Sequence, residues 1–298
     1  MLIDAHIHMS LNQYFSKKLW KTSTLEQKVT WIRDTLLQYK SRNIYVLRDG
    51  GDGIFASETT RDIAAAEGMI YKSPIYALYK KGHYGSFLGK SIDDTMDFKE
   101  EFKVLMSHKL DHLKIILTGI INFSSYGDFG GIGFTQDELD YMVSTAKENN
   151  IPVMVHANGS KAVDMAIRAG VSTIEHGYLI SKAQLYDMAD NSIVWVPTLA
   201  PLGNIISSCD PKFKEEMEVI KKVFDRQLDN VKMGVEIGVK VALGSDSGAY
   251  RVNHGDGLYD EIAFFERIGF SRGVIEKMCI ENGMSALKLK ATDLPYGI

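Results

Sequence analysis

The sequence predicts an α/β protein, a (β/α)8 barrel that forms a single domain over residues 1–298. Short β-type runs alternate with longer helical runs along the chain, which is the pattern of α/β folds. Most of the β-type runs are unbroken and apolar, as in Ile151–Val155, and such strands suit a parallel sheet that is covered on both faces. Eight strand–helix units favour a closed barrel. A strand count that is wrong by one would instead fit a Rossmann-like sheet.

Each predicted strand is an apolar run bounded by polar or turn-forming residues. Lys114, in the fourth strand, is a charged residue in an otherwise apolar run. In chain order, the predicted strands are Leu2–His8, Asn43–Arg48, Pro74–Tyr79, His112–Thr118, Ile151–His156, Val171–Glu175, Ser192–Val196 and Val239–Gly244.

The predicted helices show apolar residues at helical spacing and recognisable ends. Thr24 is a candidate N-cap, and Thr135 with Glu138 three residues later predicts a capping box. Gly170 favours a helix end just before it. The predicted helices are Thr24–Ser41, Ser57–Glu67, Asp97–Lys109, Thr135–Asn149, Ser160–Ala169, Ser181–Asp190, Lys212–Gly238 (as one helix or two), Asp256–Ile268 and Ser271–Lys288.

Composition narrows the class of protein and its partners. With 45% hydrophobic and 24% charged residues, the chain is an ordinary globular sequence, which excludes extensive disorder, a collagen repeat and a disulfide scaffold. The net charge of −4 does not favour a nucleic-acid or anionic-membrane partner. Two distant cysteines, no visible secretory signal and no long apolar stretch predict a cytoplasmic protein. We expect a small-molecule substrate, and a homo-oligomer remains possible.

The first predicted strand ends in two histidines at alternate positions. His6 and His8 point to the same face of the strand, so their imidazoles could hold one metal ion. Asp4 lies on that face too and could hydrogen-bond a histidine. Two satisfied core histidines are the plainer interpretation of this pair taken alone.

Lys114 lies in a strand that looks buried on both faces, where an ammonium is costly unless it is paired or neutralised. Burial also lowers the pKa of a lysine and makes its amine reactive, so carbamylation by CO2 could yield a carboxylate that bridges two metals. On spacing alone, we expect a salt bridge to an inward Asp or Glu to offset the cost of burying the ammonium, or the strand end to lie close to solvent.

Three further polar residues end predicted strands. His156 closes the fifth strand, His176 follows the sixth, and Asp246 follows the eighth. Each is weak evidence alone, since a lone histidine is often structural and a Gly/Ser/Asp cluster is often a turn. Because the carboxyl ends of barrel strands form the active-site mouth, their joint occurrence favours one shared site.

This ordered set of motifs resembles the amidohydrolase superfamily of metal-dependent hydrolases. The matching pieces are DAHIH at 4–8, the lysine at 114, VHANG at 155–159, IEHG at 174–177 and GSDSG at 244–248. Finer features are similar to its prolidase-like branch, which includes metal-dependent dipeptidases: VLRDGG at 46–51, KGHYG at 81–85, HLKIILTG at 112–119 and VPTL at 196–199. The resemblance extends from residue 4 to about residue 290.

The resemblance implies a barrel with two divalent metal ions, usually zinc, which hydrolyses an amide or peptide-like C–N bond through a metal-bridging hydroxide. It implies that His6 and His8 bind the more buried metal, and that His156 and His176 bind the more exposed one. Lys114, carboxylated by CO2, would bridge both metals. Asp246 would be a ligand and the catalytic proton shuttle. Relatives often carry a β-sandwich formed by both termini; since residue 2 already begins a strand, we expect the barrel without it.

Several finer assignments follow from the same resemblance. His83 is a candidate substrate contact, with an ordinary loop histidine as the alternative, and Tyr126 could replace a tyrosine that relatives place at Phe134. Glu175 could orient His176 or pair with a neighbouring Lys or Arg. An ion pair between Arg48 and the adjacent aspartate is expected to be structural.

Three loops, 82–90, 120–133 and 249–257, are the expected walls of the substrate pocket. They carry aromatic residues and Arg251, which predicts an apolar pocket with one cation.

Two other functions remain open from the sequence. The same site could act on lactones, esters or phosphoesters, or the barrel could bind a ligand without catalysis. Histidine and carboxylate ligands also accept Zn, Mn, Ni or Fe, so the metal is not specified.

Overall fold

Parallel strands form two hydrogen-bonded arcs in the structure, a computed structural model that describes residues 1–12 and 17–295. The smaller arc has the order β1-β2-β3, and the larger has the order β10-β9-β8-β7-β6-β4-β5. The strands are β1 Leu2–Ile7, β2 Ile44–Asp49, β3 Ile70–Lys72, β4 Ala77–Lys80, β5 Gly89–Ile92, β6 Leu113–Ile116, β7 Val153–Ala157, β8 Thr173–His176, β9 Val194–Val196 and β10 Lys240–Val241.

The two arcs close on each other at two seams. At one seam, the Ala5 amide donates to the Leu243 carbonyl at 3.0 Å, and the Asp246 amide donates to the His6 carbonyl at 2.7 Å. At the other, β3 pairs with β2 while β4 pairs with β6, so β3 and β4 are two halves of one barrel strand. The described residues therefore fill eight barrel positions, and the predicted α/β barrel is confirmed.

Helices follow the strands and begin largely where the sequence indicates. Thr24 and Thr135 both form capping boxes, and Gly170 ends its helix in the left-handed conformation. The helices are α1 Lys17–Thr22, α2 Leu25–Ser41, α3 Ser57–Ala66, α4 Thr95–Ser107, α5 Gln136–Glu148, α6 Ser160–Ala169, α7 Lys182–Asp190, α8 Ala200–Ser207, α9 Met217–Ile237, α10 Gly257–Arg267, α11 Arg272–Lys277 and α12 Gly283–Leu287.

The sequence patterns did not reveal β3, β5, α1 or α8. Helix α8 has Pro201 in its first turn, where the missing N–H costs nothing, and Gly203 in its interior. A Cβ at Gly203 would overlap the ring of Phe264, so the glycine allows α8 to pack closely on α10. The last predicted helix is divided by a π-helical stretch, Met278–Asn282, between α11 and α12.

The main apolar core lies between the barrel and the helical layer. Trp195, Phe224 and Phe265 are among its largest fully buried members. A smaller cluster packs Leu287 of α12 with Ile3 and other strand residues, so the last helix covers the β1–β10 seam. Within the described part of the chain, no helix is both long and apolar enough to cross a bilayer.

Candidate functional site

The histidines at the end of β1 meet an aspartate that follows β10. The Nε2 atoms of His6 and His8 lie 3.3 Å apart, and Oδ1 of Asp246 lies 3.6 and 3.5 Å from them. Two ligand atoms bound at about 2.1 Å to one tetrahedral zinc would lie about 3.4 Å apart. The three atoms are therefore spaced to share one cation, and no other group of this kind is found in residues 1–12 and 17–295.

Hydrogen bonds set the tautomers of both β1 histidines. Nδ1 of His6 lies 2.6 Å from Oε2 of Glu175, and Nδ1 of His8 lies 3.3 Å from the Gly51 carbonyl. Since these oxygens can only accept, each Nδ1 carries a proton and each Nε2 keeps a lone pair. Burial lowers the pKa of His6 well below its usual range and that of His8 to about 3, with the positive charge of Lys114 adding to both shifts. Both imidazoles are thus neutral at pH 7, as ligands must be.

His156 and His176 lie beside this group at the ends of β7 and β8. Their ring centroids are 4.5 Å apart, and the His176 ring is 5.1 Å from that of His6. Nε2 of His156 donates to the Gly119 carbonyl at 3.1 Å, which leaves its Nδ1 as the lone-pair atom. Nδ1 of His176 is 2.6 Å from the Thr198 hydroxyl. Burial lowers the pKa of both rings, so they too are neutral and able to bind metal.

Lys114 on β6 lines the same cavity as His8, His156, His176 and Asp246. Its side chain is 1% exposed, and its Nζ has no hydrogen-bond partner or ion pair among the described residues. The salt bridge to an inward Asp or Glu that spacing alone predicts is therefore not found. Burial lowers its pKa to about 8, and the nearby Arg48 adds to the shift.

The Asp246 carboxyl lies beside the imidazoles, with 14% of its side chain exposed. Burial raises its pKa to about 7, and the positive charge of Lys114 opposes that shift. In the absence of a cation, ionising this carboxyl in the fold therefore costs free energy. A bound cation would remove that cost and hold the group as a carboxylate.

Backbone strain marks the same end of the barrel. His176, Thr198 and Asp246 all have positive φ, at 61°, 49° and 57°. Non-glycine residues adopt this region at a cost and persist in it where their surroundings hold them. The His176 carbonyl accepts hydrogen bonds from Nε1 of Trp195 and Nε2 of Gln227, which fix its peptide. Two of these strained residues, His176 and Asp246, are candidate ligands that line the cavity.

A buried ion-pair network supports the His6 ring. Glu175 accepts from Nη2 of Arg48 at 2.8 Å, and Arg48 also donates to the Ala5 carbonyl at 2.6 Å and to the Thr173 hydroxyl at 3.0 Å. Of the two alternatives for Glu175, the pair with a neighbouring arginine is confirmed. The other is wrong: Glu175 orients His6 and not His176, because β1 and β8 face each other across the barrel. The expected ion pair between Arg48 and Asp49 is wrong: Arg48 pairs with Glu175, because successive residues of β2 point to opposite faces.

Removing Arg48 should test this network. We expect Arg48→Met to lower the free energy of unfolding by about 3–5 kcal/mol, because it leaves the Glu175 charge buried and unpaired. Arg168→Met, which removes the exposed pair with Asp164, is the control and should change stability by less than about 1 kcal/mol. Urea denaturation of both variants measures the difference. Equal small losses of stability in the two variants would mean that the Glu175 charge does not need Arg48 as its partner.

Two further aspartates act on the backbone. Asp4 accepts from the Ser245 hydroxyl at 2.6 Å and from the Ser245 amide at 2.8 Å, so it braces the segment after β10 and does not bond a histidine ring. Asp49 accepts from the amides of Met9 and Gly51, both at 2.8 Å. A Cβ at Gly50 would overlap the His8 ring, which explains a glycine at this position.

The candidate ligands lie in a cavity of about 560 Å³. Its remaining wall is largely apolar and includes Leu202 and Ile205 of α8. Six aromatic residues also line it: Tyr84, Phe87, Phe123, Tyr178, Phe213 and Tyr250. The structure does not bring His83 or Tyr126 to this wall. Both are exposed, and Tyr126 lies under Nζ of Lys222 at 4.3 Å from its ring centroid. Their role in substrate contact stays a prediction.

Three residues near the ligands were missed by sequence reasoning. Tyr84 faces His156 with 6.0 Å between ring centroids, Nδ2 of Asn158 is 3.1 Å from Nε2 of His156, and Thr198 bonds His176. Asn158 and Thr198 lie within the motifs VHANG and VPTL, so the resemblance could have indicated both residues. Tyr84 follows His83 in the loop after β4, and nothing in the pattern indicated which of the two faces inward.

Comparison with known proteins agrees with this geometry. The model of the amidohydrolase family matches residues 2–290. An uncharacterised protein of Mycobacterium tuberculosis is 28% identical over 140 residues, which cover 46% of this chain and 37% of that protein. The ochratoxinase of Aspergillus niger is 22% identical over 236 residues, which cover 75% of this chain and 48% of the enzyme. The chain thus spans less than half the length of these curated relatives.

Solved structures show the same fold. A Xaa-Pro dipeptidase with bound methionine superposes with a TM-score of 0.78 at 20% identity, covering 97% of this chain and 75% of that one. The A. niger ochratoxinase gives 0.78 at 17% identity, covering 96% and 70%. Because the family model matches nearly the whole sequence, the chain belongs to the amidohydrolase family.

Proposed function

We propose that this protein is a metal-dependent hydrolase that cleaves an amide or peptide-like C–N bond, with two divalent cations and a carboxylated Lys114. One observation carries the proposal: the Lys114 amine is buried near four histidines and an aspartate, and it has no hydrogen-bond partner in the described part of the chain. An ammonium in that position is costly, whereas a carboxylate in the same place would complete a ligand set.

Carboxylation of Lys114 is a simple reaction of its neutral amine. The nitrogen lone pair attacks the carbon of CO2, a C–N bond forms as one C=O π bond breaks, and a proton leaves for solvent. The pKa of about 8 makes a neutral amine accessible near physiological pH, which supports the step. The product carries a negative charge that the neutral imidazoles around it do not oppose.

The ligand assignment rests on the family resemblance, and the spacing of His6, His8 and Asp246 supports it. These three residues would hold one cation, His156 and His176 would hold the other, and carboxylated Lys114 would be a ligand of both. Zinc suits this mixture of imidazole and carboxylate donors, although Mn, Ni and Fe also accept it. When bound, two such cations supply a nucleophile near neutral pH and polarise the scissile carbonyl.

The residues of the chain move the proton. The Asp246 carboxylate would accept a proton from the attacking water and deliver it to the nitrogen of the leaving amine as the C–N bond breaks. Glu175 keeps the Nδ1 proton on His6 and so directs its Nε2 inward. Burial and the Asp246 charge raise the pKa of Tyr84, so its hydroxyl stays protonated and can donate a hydrogen bond inside the cavity.

A substrate screen tests the reaction class. Protein supplied with bicarbonate and with zinc or manganese would be assayed against dipeptides and N-acyl amino acids, and in parallel against lactones and phosphotriesters. Turnover of amides supports the proposal. Turnover of lactones or phosphotriesters alone would make it a C–O or P–O hydrolase. Tight metal binding with no turnover of any class would indicate a ligand-binding barrel.

A further inference from the structure

One exposed lysine that lines the cavity belongs to no part of the candidate metal centre. The charged or titratable residues of the wall are His8, Lys114, His156, His176, Asp246, Tyr84, Tyr178, Tyr250 and Lys212. The first five are candidate ligands, and the next three are tyrosines. Lys212 is therefore the one further charged side chain on the wall as the structure describes it. It lies in the 3-10 turn Pro211–Phe213, between α8 and α9.

The Lys212 ammonium rests on two aromatic rings and has no acidic partner. Its Nζ is 4.5 Å from the ring centroid of Tyr250 and 5.2 Å from that of Phe213. Its Nζ forms no salt bridge with a carboxylate in residues 1–12 and 17–295. Cation–π contact with ring faces holds the ammonium in place while leaving N–H donors for a ligand.

The neighbouring acid is already used by other groups. Oδ2 of Asp210 accepts from Nε of Arg251 at 2.7 Å and from the Tyr250 hydroxyl at 3.0 Å, and its Oδ1 accepts from the Lys212 amide at 3.0 Å. Arg251, the cation that the sequence suggested for the pocket, is thus neutralised outside the wall. Lys212 supplies the uncompensated charge instead.

Aromatic contacts hold this turn against two other loops. The Phe213 ring is 5.4 Å from that of Phe123 in the loop after β6, and 5.7 Å from that of Tyr250 in the loop after β10. Both contacts are edge-to-face, an arrangement in which aromatic pairs stabilise each other. Two loops therefore hold the turn that carries Lys212. These loops and the turn together line the apolar part of the cavity.

We propose that Lys212 binds a carboxylate of the substrate, while the apolar wall around it accepts an aromatic or branched aliphatic group. The substrate class would then be N-acylated amino acids or short peptides with an apolar side chain and a free carboxylate. That such a compound is a substrate rests on the proposed amide hydrolysis. That an apolar carboxylate binds here rests on the cavity wall alone.

Binding of two matched probes tests the inference without turnover. 3-Phenylpropionate and 3-phenylpropan-1-ol share one apolar body, and neither contains a bond that an amide hydrolase cleaves. Calorimetry on the metal-loaded protein should show the carboxylate binding about tenfold tighter, the size expected of a hydrogen bond to a charged group. Lys212→Met should remove this preference and Lys212→Glu should reverse it.

Lys222→Met is the matched control, since Lys222 also lies over a tyrosine ring but outside the cavity. It should keep the tenfold preference. If Lys212→Met also keeps it, the carboxylate is held elsewhere, for instance by the metal ions, and the inference is wrong. No preference in the unmodified protein would overturn it as well. If the unmodified protein hydrolyses amides but Lys212→Met keeps the carboxylate preference, only this inference is refuted. If the unmodified protein hydrolyses no amide but Lys212→Met loses the preference, only the proposed function is refuted.

Discussion

Replacing Lys114 with methionine is expected to abolish hydrolysis and, at the same time, to make the metal-free protein more stable. The unpartnered buried amine costs free energy in the fold, and methionine fills a similar volume without that cost. We expect the free energy of unfolding to rise by about 1–3 kcal/mol in the metal-free state. Activity should fall by about a thousandfold or more, since the metal centre would lose its bridging ligand.

Two further variants make the Lys114 result specific. Lys114→Arg keeps a positive charge that cannot form a carbamate, so it should also be inactive but gain no stability. Ile115→Met, the neighbour on β6, is a volume-conserving core change that should cost less than about 1.5 kcal/mol and leave activity near normal. Full activity in Lys114→Met would remove the bridging role, whatever its stability.

Asp246→Asn is expected to separate catalysis from stability. An asparagine cannot accept the proton of the attacking water, so kcat should fall by about 10²–10⁴-fold. The raised pKa of Asp246 means that its ionisation destabilises the metal-free fold as pH rises above about 4, with the full penalty reached above about 7. A neutral amide avoids this penalty, so the metal-free variant should be at least as stable as the parent at pH 8.

Steady-state kinetics and urea denaturation at pH 6 and pH 8 measure the two effects of Asp246→Asn. Asp164→Asn, on the exposed face of α6, is the control and should change neither. Comparable losses of kcat and stability in Asp246→Asn would assign the residue a structural role in place of a catalytic one.

The fold followed from sequence to a large extent because strand burial has a simple signature. Unbroken apolar runs such as Ile151–Val155 predict strands covered on both sides, and their alternation with helices predicts the barrel. The third barrel strand was only half visible, because Pro74 and Ile75, at φ 67°, interrupt it between β3 and β4. Helix α8 was not predicted because it contains a proline and a glycine, which usually break helices. Here the proline lies in the first turn and the glycine packs against α10.

The candidate histidines and Asp246 could be named from sequence because they lie at or just after strand ends at one edge of the barrel. Lys114 could be named because it is a charged residue within an apolar strand. Their supporting contacts could not. Glu175 bonds His6 over a separation of 169 residues, and Arg48 joins it from β2, so both contacts depend on how the barrel closes. The inward position of Tyr84 beside His83 depends on the path of a loop, for which periodicity contains no information.

A site with two metal ions bridged by carboxylated Lys114 has a measurable metal content. Elemental mass spectrometry on protein prepared without chelators, with bicarbonate supplied, measures it directly. We expect about two divalent metal ions per chain in the parent protein and a clear loss in Lys114→Met. One ion per chain, unchanged in Lys114→Met, would make the lysine structural, and no bound ion after incubation with excess zinc or manganese would contradict the metal-dependent hydrolase altogether.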